Sequence, residues 1–310
     1  MRAAAPDLLL RIAERRRQRL AEHRRGQPDA AGAAPFPSRR TAPAPPVPDR
    51  AAASSPDVAP APLLPRDNPF LAALAHPPSA ALPSAPAIIA EVKMGSPRLG
   101  SLIGRIDPVA QARVYAEHGA AALSVVVEPD SFYGSYQLLA DCRAASGLPA
   151  IAKDFVVDPL QLAWARQAGA DAVLLIAALY EPEELVRLAW LARGLGLAPL
   201  VEVHDAEDLA LLDGQEWEAV GVNNRDLRTF EVDLERSIAL LPSLPPAALK
   251  VAESGIRDAR DVALLAASGF DALLIGESLL LAEDPAAHLR ALLDGTAARK
   301  AEPSGARHEV

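Results

Sequence analysis

The chain has 310 residues, 50% hydrophobic and 23% charged, with 29 prolines and one cysteine, enough apolar material for one large domain of roughly 200–250 residues and an appendage. Its lone Cys142 excludes an intrachain disulfide and a cysteine-based zinc site, and no apolar run approaches the roughly 18 residues of a membrane span, so a cytoplasmic chain with no metal and no membrane partner is expected. The net charge of −9 divides into +6 over residues 1–50 and −15 over residues 51–310, and an acidic body argues against nucleic acid as a partner.

Asp7 after Pro6, followed by Leu8, Leu9, Ile12, Ala13 and Leu20, predicts a capped amphipathic helix over residues 7–25 within an N-terminal segment 1–27. Its many arginines read as a solvated face set against the acidic body. Residues 28–86 hold 16 of the 29 prolines. Residues 28–65 therefore read as a disordered Pro/Ala-rich linker, since such a stretch supports neither helix nor central strand. Asn68-Pro69 opens one short helix, to Leu74.

From residue 87 the texture changes to short β-type runs alternating with helical patterns. The strands read as 88–93, 121–127, 149–154, 171–176, 198–203, 218–222, 249–253 and 271–275. The helices between and after them fall near 107–118, 135–145, 158–168, 181–195, 205–212, 234–241, 257–268 and 283–294. Glycine recurs where a helix gives way to a strand, as at Gly147 and Gly269. A Gly-x-Asp-Ala pattern appears twice, at Gly169–Ala172 and Gly269–Ala272. Eight strand–helix units within residues 66–295 match a (β/α)8 TIM barrel in count and size, with an N-terminal helical extension and a short tail, 296–310. A doubly wound open sheet is the competitor, but no Gly-x-Gly-x-x-Gly follows the first strand.

In such a barrel chemistry sits at the C-terminal ends of the strands. The polar residues there are Glu91 and Lys93 on strand one, Lys153 and Asp154 on strand three, and Glu202 on strand five. Strand six runs into Asn223, Asn224, Arg225 and Asp226, strand seven into Glu253-Ser254-Gly255, and strand eight into Gly276-Glu277-Ser278. Only four of the 31 cationic residues are lysines, and two of them lie at these ends. Lysine is compact and can give up its proton, which arginine effectively cannot. Small residues and backbone N–H groups at the last two ends suit a phosphate.

Taken together, these segments resemble the indole-3-glycerol-phosphate synthase family. The carriers are Ile89-Ala90-Glu91-Val92-Lys93 with Ser96-Pro97, Phe132-Tyr133-Gly134-Ser135-Tyr136, Lys153-Asp154-Phe155, Pro199–Val203, Gly221–Leu227 and Val251–Ile256, in the family's order. The resemblance covers about residues 66–295 and the opening helix. It implies a cofactor-independent lyase of tryptophan biosynthesis acting on a small anionic phosphorylated substrate. It implies Lys153 as general acid, Glu202 as base, and Lys93 with its partner Glu91 as stabiliser of the developing oxyanion. Asn223 and Arg225 are implied near a substrate carboxylate, Phe132 and Phe155 on the wall around its ring, and Ser96, Glu253 and Ser254 among the binding residues. Ser254, Gly255, Gly276 and Glu277 would hold the phosphate. The Pro/Ala stretch departs from the family pattern as an insertion; Met94-Gly95, Leu99 and Tyr133 also depart from it and are expected to alter the loop after strand one and the pocket rim.

His204 reads as a cap or surface group, while Cys142 and the three tryptophans read as packing. A phosphoribosyl-sugar isomerase on the same barrel would call for a Cys–Asp or Asp–Asp pair at opposite strand ends, where strand one carries Glu91 and Lys93. A non-catalytic barrel scaffold would not need so many converging charges.

Overall fold

A computed structural model describes residues 7–25, 62–77, 85–226, 229 and 231–297. Eight parallel strands close into a barrel: β1 (Ala87–Val92), β2 (Ala122–Val126), β3 (Ala150–Lys153), β4 (Ala172–Ile176), β5 (Ala198–Val203), β6 (Ala219–Asn223), β7 (Leu249–Glu253) and β8 (Ala272–Ile275). Each pairs with its successor, and β8 closes on β1 through Ala87↔Ala272 to Ala90↔Ile275. The helices are α1 (Asp7–Arg24), α2 (Pro69–Ala75), α3 (Pro108–Glu117), α4 (Tyr136–Ser146), α5 (Pro159–Gln167), α6 (Pro182–Gly194), α7 (Ala206–Ala210), α8 (Leu234–Leu240), α9 (Ala259–Ser268), α10 (Glu277–Leu281) and α11 (Pro285–Ala297). Every strand falls within one residue of its expected span and the expected helices within three; α10 is the addition. This is the expected TIM barrel with a helix at its N-terminal side. Among the described residues, no helix is long and apolar enough to cross a membrane. The linker read at 28–65 lies outside the described residues up to 61, as does the tail from 298.

Local chemistry fixes where the loops end. Asp107, Ser135, Asp158, Asp205, Asp233 and Asp258 each accept backbone N–H groups at the start of the following helix. Such N-caps satisfy donors the helix itself cannot. At the opposite ends, the repeated Gly-x-Asp-Ala ties neighbouring strands together. Asp171 accepts the Ala150 N–H at 2.9 Å and Asp271 the Lys250 N–H at 2.8 Å.

Two apolar layers result from strand alternation. Ile88, Ala90 and Val92 face outward into the layer shared with the helices, which also takes Cys142 and Trp217. Ala87, Ile89, Ile151, Leu174, Leu200, Val251 and Leu274 face inward and fill the barrel. Helix α2 plugs the floor with Phe70, Leu71 and Leu74. Asn68 both caps it and donates to the carbonyls of Asp171 and Gly196 at 3.1 and 3.3 Å.

Helix α1 closes the other end, and Leu9 joins the inward layer. Its arginines divide: Arg11, Arg15, Arg17, Arg24 and Arg25 are exposed, as composition suggests, while Arg19 is half-buried and Arg16 turns inward. Arg16 is buried and grips Asp154 with two nitrogens, Nε at 3.0 Å from Oδ1 and Nη2 at 2.5 Å from Oδ2. Asp154 also accepts Tyr136 Oη–H at 2.9 Å and a Gln161 Nε2–H at 2.8 Å. Arg19 pairs with Asp130 at 2.6 Å and Arg24 with Asp158 at 2.8 Å. The planar guanidinium suits such forked contacts. Three positions about one or two turns apart therefore dock the helix on the loops after β2 and β3.

Removing one partner of a buried pair strands the other charge. Arg16→Ala should therefore lower the unfolding free energy by about 3–5 kcal/mol. Arg17→Ala, on the exposed face beside Glu14, should change it by no more than about 0.5 kcal/mol. Urea denaturation of the two variants checks this; equal midpoints would mean that Arg16 does not dock the helix.

Candidate active site

Period-2 alternation also decides what meets at the barrel mouth. Glu91 on β1, Lys153 on β3, Glu202 on β5, Asn223 on β6 and Glu253 on β7 share the inward face at or near the strand ends. Register sets Asn223 beside Glu253 and Glu202 beside Gly221. Two glycines make room for the carboxylates. A Cβ at 221 would collide with Glu253 Oε1, and one at 276 with Glu91 Oε1. Gly276 thus serves Glu91 as well as the rim where a phosphate was expected.

The charges are matched closely. Lys93 Nζ donates to Glu91 Oε1 at 2.7 Å. Lys153 Nζ lies 3.1 Å from Glu253 Oε2 and 3.4 Å from Glu91 Oε2. Burial disfavours the charged forms, but the partners outweigh it for most of the cluster. Glu91 is held at about 2 by Lys93 and Lys153 against its burial. Lys153 is pushed well above the ordinary lysine value, because Glu253, Glu91 and Glu202 overcome its burial. Glu253 goes the other way: burial raises it, Lys153 opposes, and neighbouring Glu202 raises it further.

Above these groups opens a cavity of about 830 Å3. Glu91, Lys93, Ser96, Phe132, Lys153, Phe155, Glu202, Asn223, Arg225, Ser254, Gly255, Gly276 and Glu277 all line it, as sequence reasoning expected. Glu253 does not. It is fully buried behind the wall, under Lys153, so the structure makes it a support for that lysine rather than a surface for a ligand. The rings of Phe132 and Phe155 stand 6.0 Å apart, tilted by 34°. Leu8, Leu9 and Ile12 of α1 face the same space. The cavity thus combines aromatic and aliphatic lining with an ionic set.

At the rim, Ser254 and Gly255 take φ of 65° and 85° as the chain leaves β7. A Cβ at 255 would strike the Val232 side chain, so glycine is required there on both counts. Glu277 opens α10, and its carboxylate contacts Arg98 and lies 3.6 Å from Arg225. Arg225 therefore engages a carboxylate of the protein itself. Asn223 Oδ1 accepts the Arg225 N–H at 3.0 Å and helps set the loop.

Several members escaped sequence reasoning. Arg98 stands one place before Leu99, one of the departures from the family pattern, and it lines the cavity. Met94-Gly95 and Tyr133, separate departures in sequence, meet in space: a Cβ at 95 would fall 2.6 Å from Tyr133 Cδ2. Tyr133 holds a left-handed φ of 59° there. His204 is not a surface cap. It is buried, with Nε2 3.2 Å from Glu202 Oε1 and Nδ1 3.1 Å from Asp208 Oδ2. The spacing Glu202-x-His204 followed four residues later by Asp208 was the available signal, because alternation carries the first two to one side of the strand.

Comparison with known proteins accords with this geometry. The family model described as indole-3-glycerol phosphate synthase matches residues 61–292. Indole-3-glycerol phosphate synthase of Rhodopirellula baltica is 46% identical over 206 residues, covering 66% of this chain and 80% of that protein. That of Salinibacter ruber is 47% identical over 198 residues, covering 64% and 73% respectively. Among solved structures, orotidine 5'-phosphate decarboxylase from Pyrococcus horikoshii OT3 superposes with a TM-score of 0.52 at 15% identity, covering 68% of this chain and 99% of that one. Thiamine phosphate pyrophosphorylase from Pyrococcus furiosus gives 0.51 at 18%, covering 68% and 95%. At those identities the likeness is one of fold alone. With the family model spanning most of the barrel and its strand-end residues gathered at one mouth, the chain belongs to the indole-3-glycerol phosphate synthase family.

Proposed function

We propose that this chain is a cofactor-independent carboxy-lyase of tryptophan biosynthesis. It converts 1-(2-carboxyphenylamino)-1-deoxyribulose 5-phosphate into indole-3-glycerol phosphate, CO2 and water. The observation that carries the site assignment is Lys153 Nζ, held 3.1 Å from Glu253 and 3.4 Å from Glu91 on the floor of a cavity that also has aromatic lining. The substrate's phosphate would rest on the turns Ser254-Gly255 and Gly276-Glu277. Its carboxylate would draw Arg225 away from Glu277, with Asn223 beside it. Its ring would lie against Phe132, Phe155 and the apolar stripe of α1. Burying that ring expels water and strengthens the charges around it.

Ring closure needs an acid. The ring carbon bearing the carboxylate attacks the ketone carbon, and the carbonyl electrons move to oxygen. Lys153 remains an ammonium at neutral pH, so its proton is in place to be taken as the alkoxide forms. Lys93, steadied by Glu91, stabilises the same developing charge. Breaking the bond to the carboxylate then releases CO2, and its electron pair restores the ring. Finally the new hydroxyl leaves as water with a proton from one of the two ammoniums. Glu202, held as a carboxylate, removes a proton from the adjacent methylene to complete the indole.

The direct test is indole-3-glycerol phosphate formation by the purified protein. Lys153→Met keeps the bulk of the side chain and removes the proton. It should lower kcat by about 100- to 10,000-fold with KM little changed. Near-wild-type turnover would remove Lys153 from the chemistry. Arg225→Lys keeps the charge but not the fork, so KM should rise markedly. An unchanged KM would confine Arg225 to its pairing with Glu277.

A further inference from the structure

Strand β5 ends Glu202-Val203-His204, and the mechanism above uses Glu202 while leaving His204 without a task. The ring is held from both sides. Asp208 Oδ2 accepts the His204 backbone N–H at 3.0 Å and lies 3.1 Å from Nδ1. Asp208 itself sits in the first turn of α7, whose N-cap Asp205 accepts its backbone N–H at 2.9 Å. Nε2 lies 3.2 Å from Glu202 Oε1, a close charge contact without hydrogen-bond geometry. Asp208, His204 and Glu202 form a line from a helix start to the cavity wall.

That line ends at one member of a carboxylate pair. Glu202 on β5 and Glu253 on β7 both face this mouth, and the charge on Glu202 disfavours a second one on Glu253. Lys153 attracts both. Asn223, on the neighbouring strand β6, also favours the charge on Glu202, and Glu91 with Lys93 lies on β1. The nearest cation differs between the two carboxylates: Lys153 contacts Glu253, and His204 contacts Glu202.

We propose that His204 is a positioning residue: clamped by Asp208, it holds a positive charge against Glu202 and keeps that carboxylate ionised, which makes Glu202 the base. This rests on the reading of Glu202 given above. The electrostatics agree with the geometry. Burial works against a charge on His204, but Asp208 and Glu202 overcome it and raise the ring to about 10. Burial likewise opposes ionisation of Glu202, and His204, Lys153 and Asn223 together outweigh it, His204 leading. Glu253 is pushed up to about 7.

The sign of the pH effect follows. A base held low is active through neutral pH and is lost only in acid. Without the His204 cation its titration rises, so protonation reaches it from the acid side at higher pH. His204→Gln, which retains hydrogen-bonding atoms without the charge, should fall about tenfold or more below wild type in kcat/KM at pH 6 and recover to within about threefold at pH 8.5. Asp208→Asn should shift the acid limb the same way by less. A structural role would instead lower activity evenly across pH, and a His204→Gln profile parallel to wild type overturns the proposal. Nitrogen NMR of the His204 ring in the unmodified protein gives an answer independent of turnover. An imidazolium persisting at pH 8 supports the proposal, and a neutral ring at pH 7 overturns it. If the wild-type protein forms no indole-3-glycerol phosphate at any pH, the catalytic reading fails instead, whatever the ring's charge.

Discussion

A half-buried lysine ammonium set among carboxylates governs this molecule. Taking such charges out of water is costly unless each finds a partner, and the barrel meets that requirement from several strands at once. Lys153 comes from β3, Glu91 and Lys93 from β1 and the residue after it, Glu253 from β7, and Glu202 with His204 from β5. Three carboxylates face two lysines and a histidine. The space for them is built into the sheet by Gly221 and Gly276, which place no side chain where Glu253 and Glu91 must lie. A smaller set of charges would leave one member unpaired, and larger residues at either glycine would drive a carboxylate out of place.

The same constraint explains the two seals. Below, Phe70, Leu71 and Leu74 keep water from the underside of the inward layer. Above, α1 lays Leu8, Leu9 and Ile12 over the cavity while Arg16, Arg19 and Arg24 hold it down. Part of the arginine surplus at the head of the chain is thus matched by Asp154, Asp130 and Asp158 of the acidic body. Its work is docking, which lowers the local dielectric around the lysines and sharpens every charge contact there.

Much of this was legible in the sequence. Strand positions follow from apolar runs between helical patterns, and period-2 alternation alone predicts that Glu91, Lys153, Glu202 and Glu253 face one interior. What alternation does not report is depth or partner. Glu253 and Glu202 look equivalent in sequence, yet one lies behind the wall and the other on it. The Arg16–Asp154 pair joins residues 138 apart, a separation at which no local pattern operates. His204 beside Asp205 resembles a helix start, and Asp205 does cap α7. The histidine's real partners, Glu202 and Asp208, become visible only once the strand end and the helix turn are folded against each other.

The central claim is that a preformed charge cluster at the barrel mouth is the reacting centre. A crystal structure with a substrate analogue whose ketone is reduced to the alcohol tests it most directly. The account predicts the phosphate on the turns at Ser254-Gly255 and Gly276-Glu277, the aryl carboxylate on Asn223 and Arg225, and Arg225 released from Glu277. It further predicts the analogue's hydroxyl within hydrogen-bonding distance of Lys153 Nζ. An analogue bound elsewhere, or bound there with Lys153 still turned wholly to Glu91 and Glu253, would contradict it.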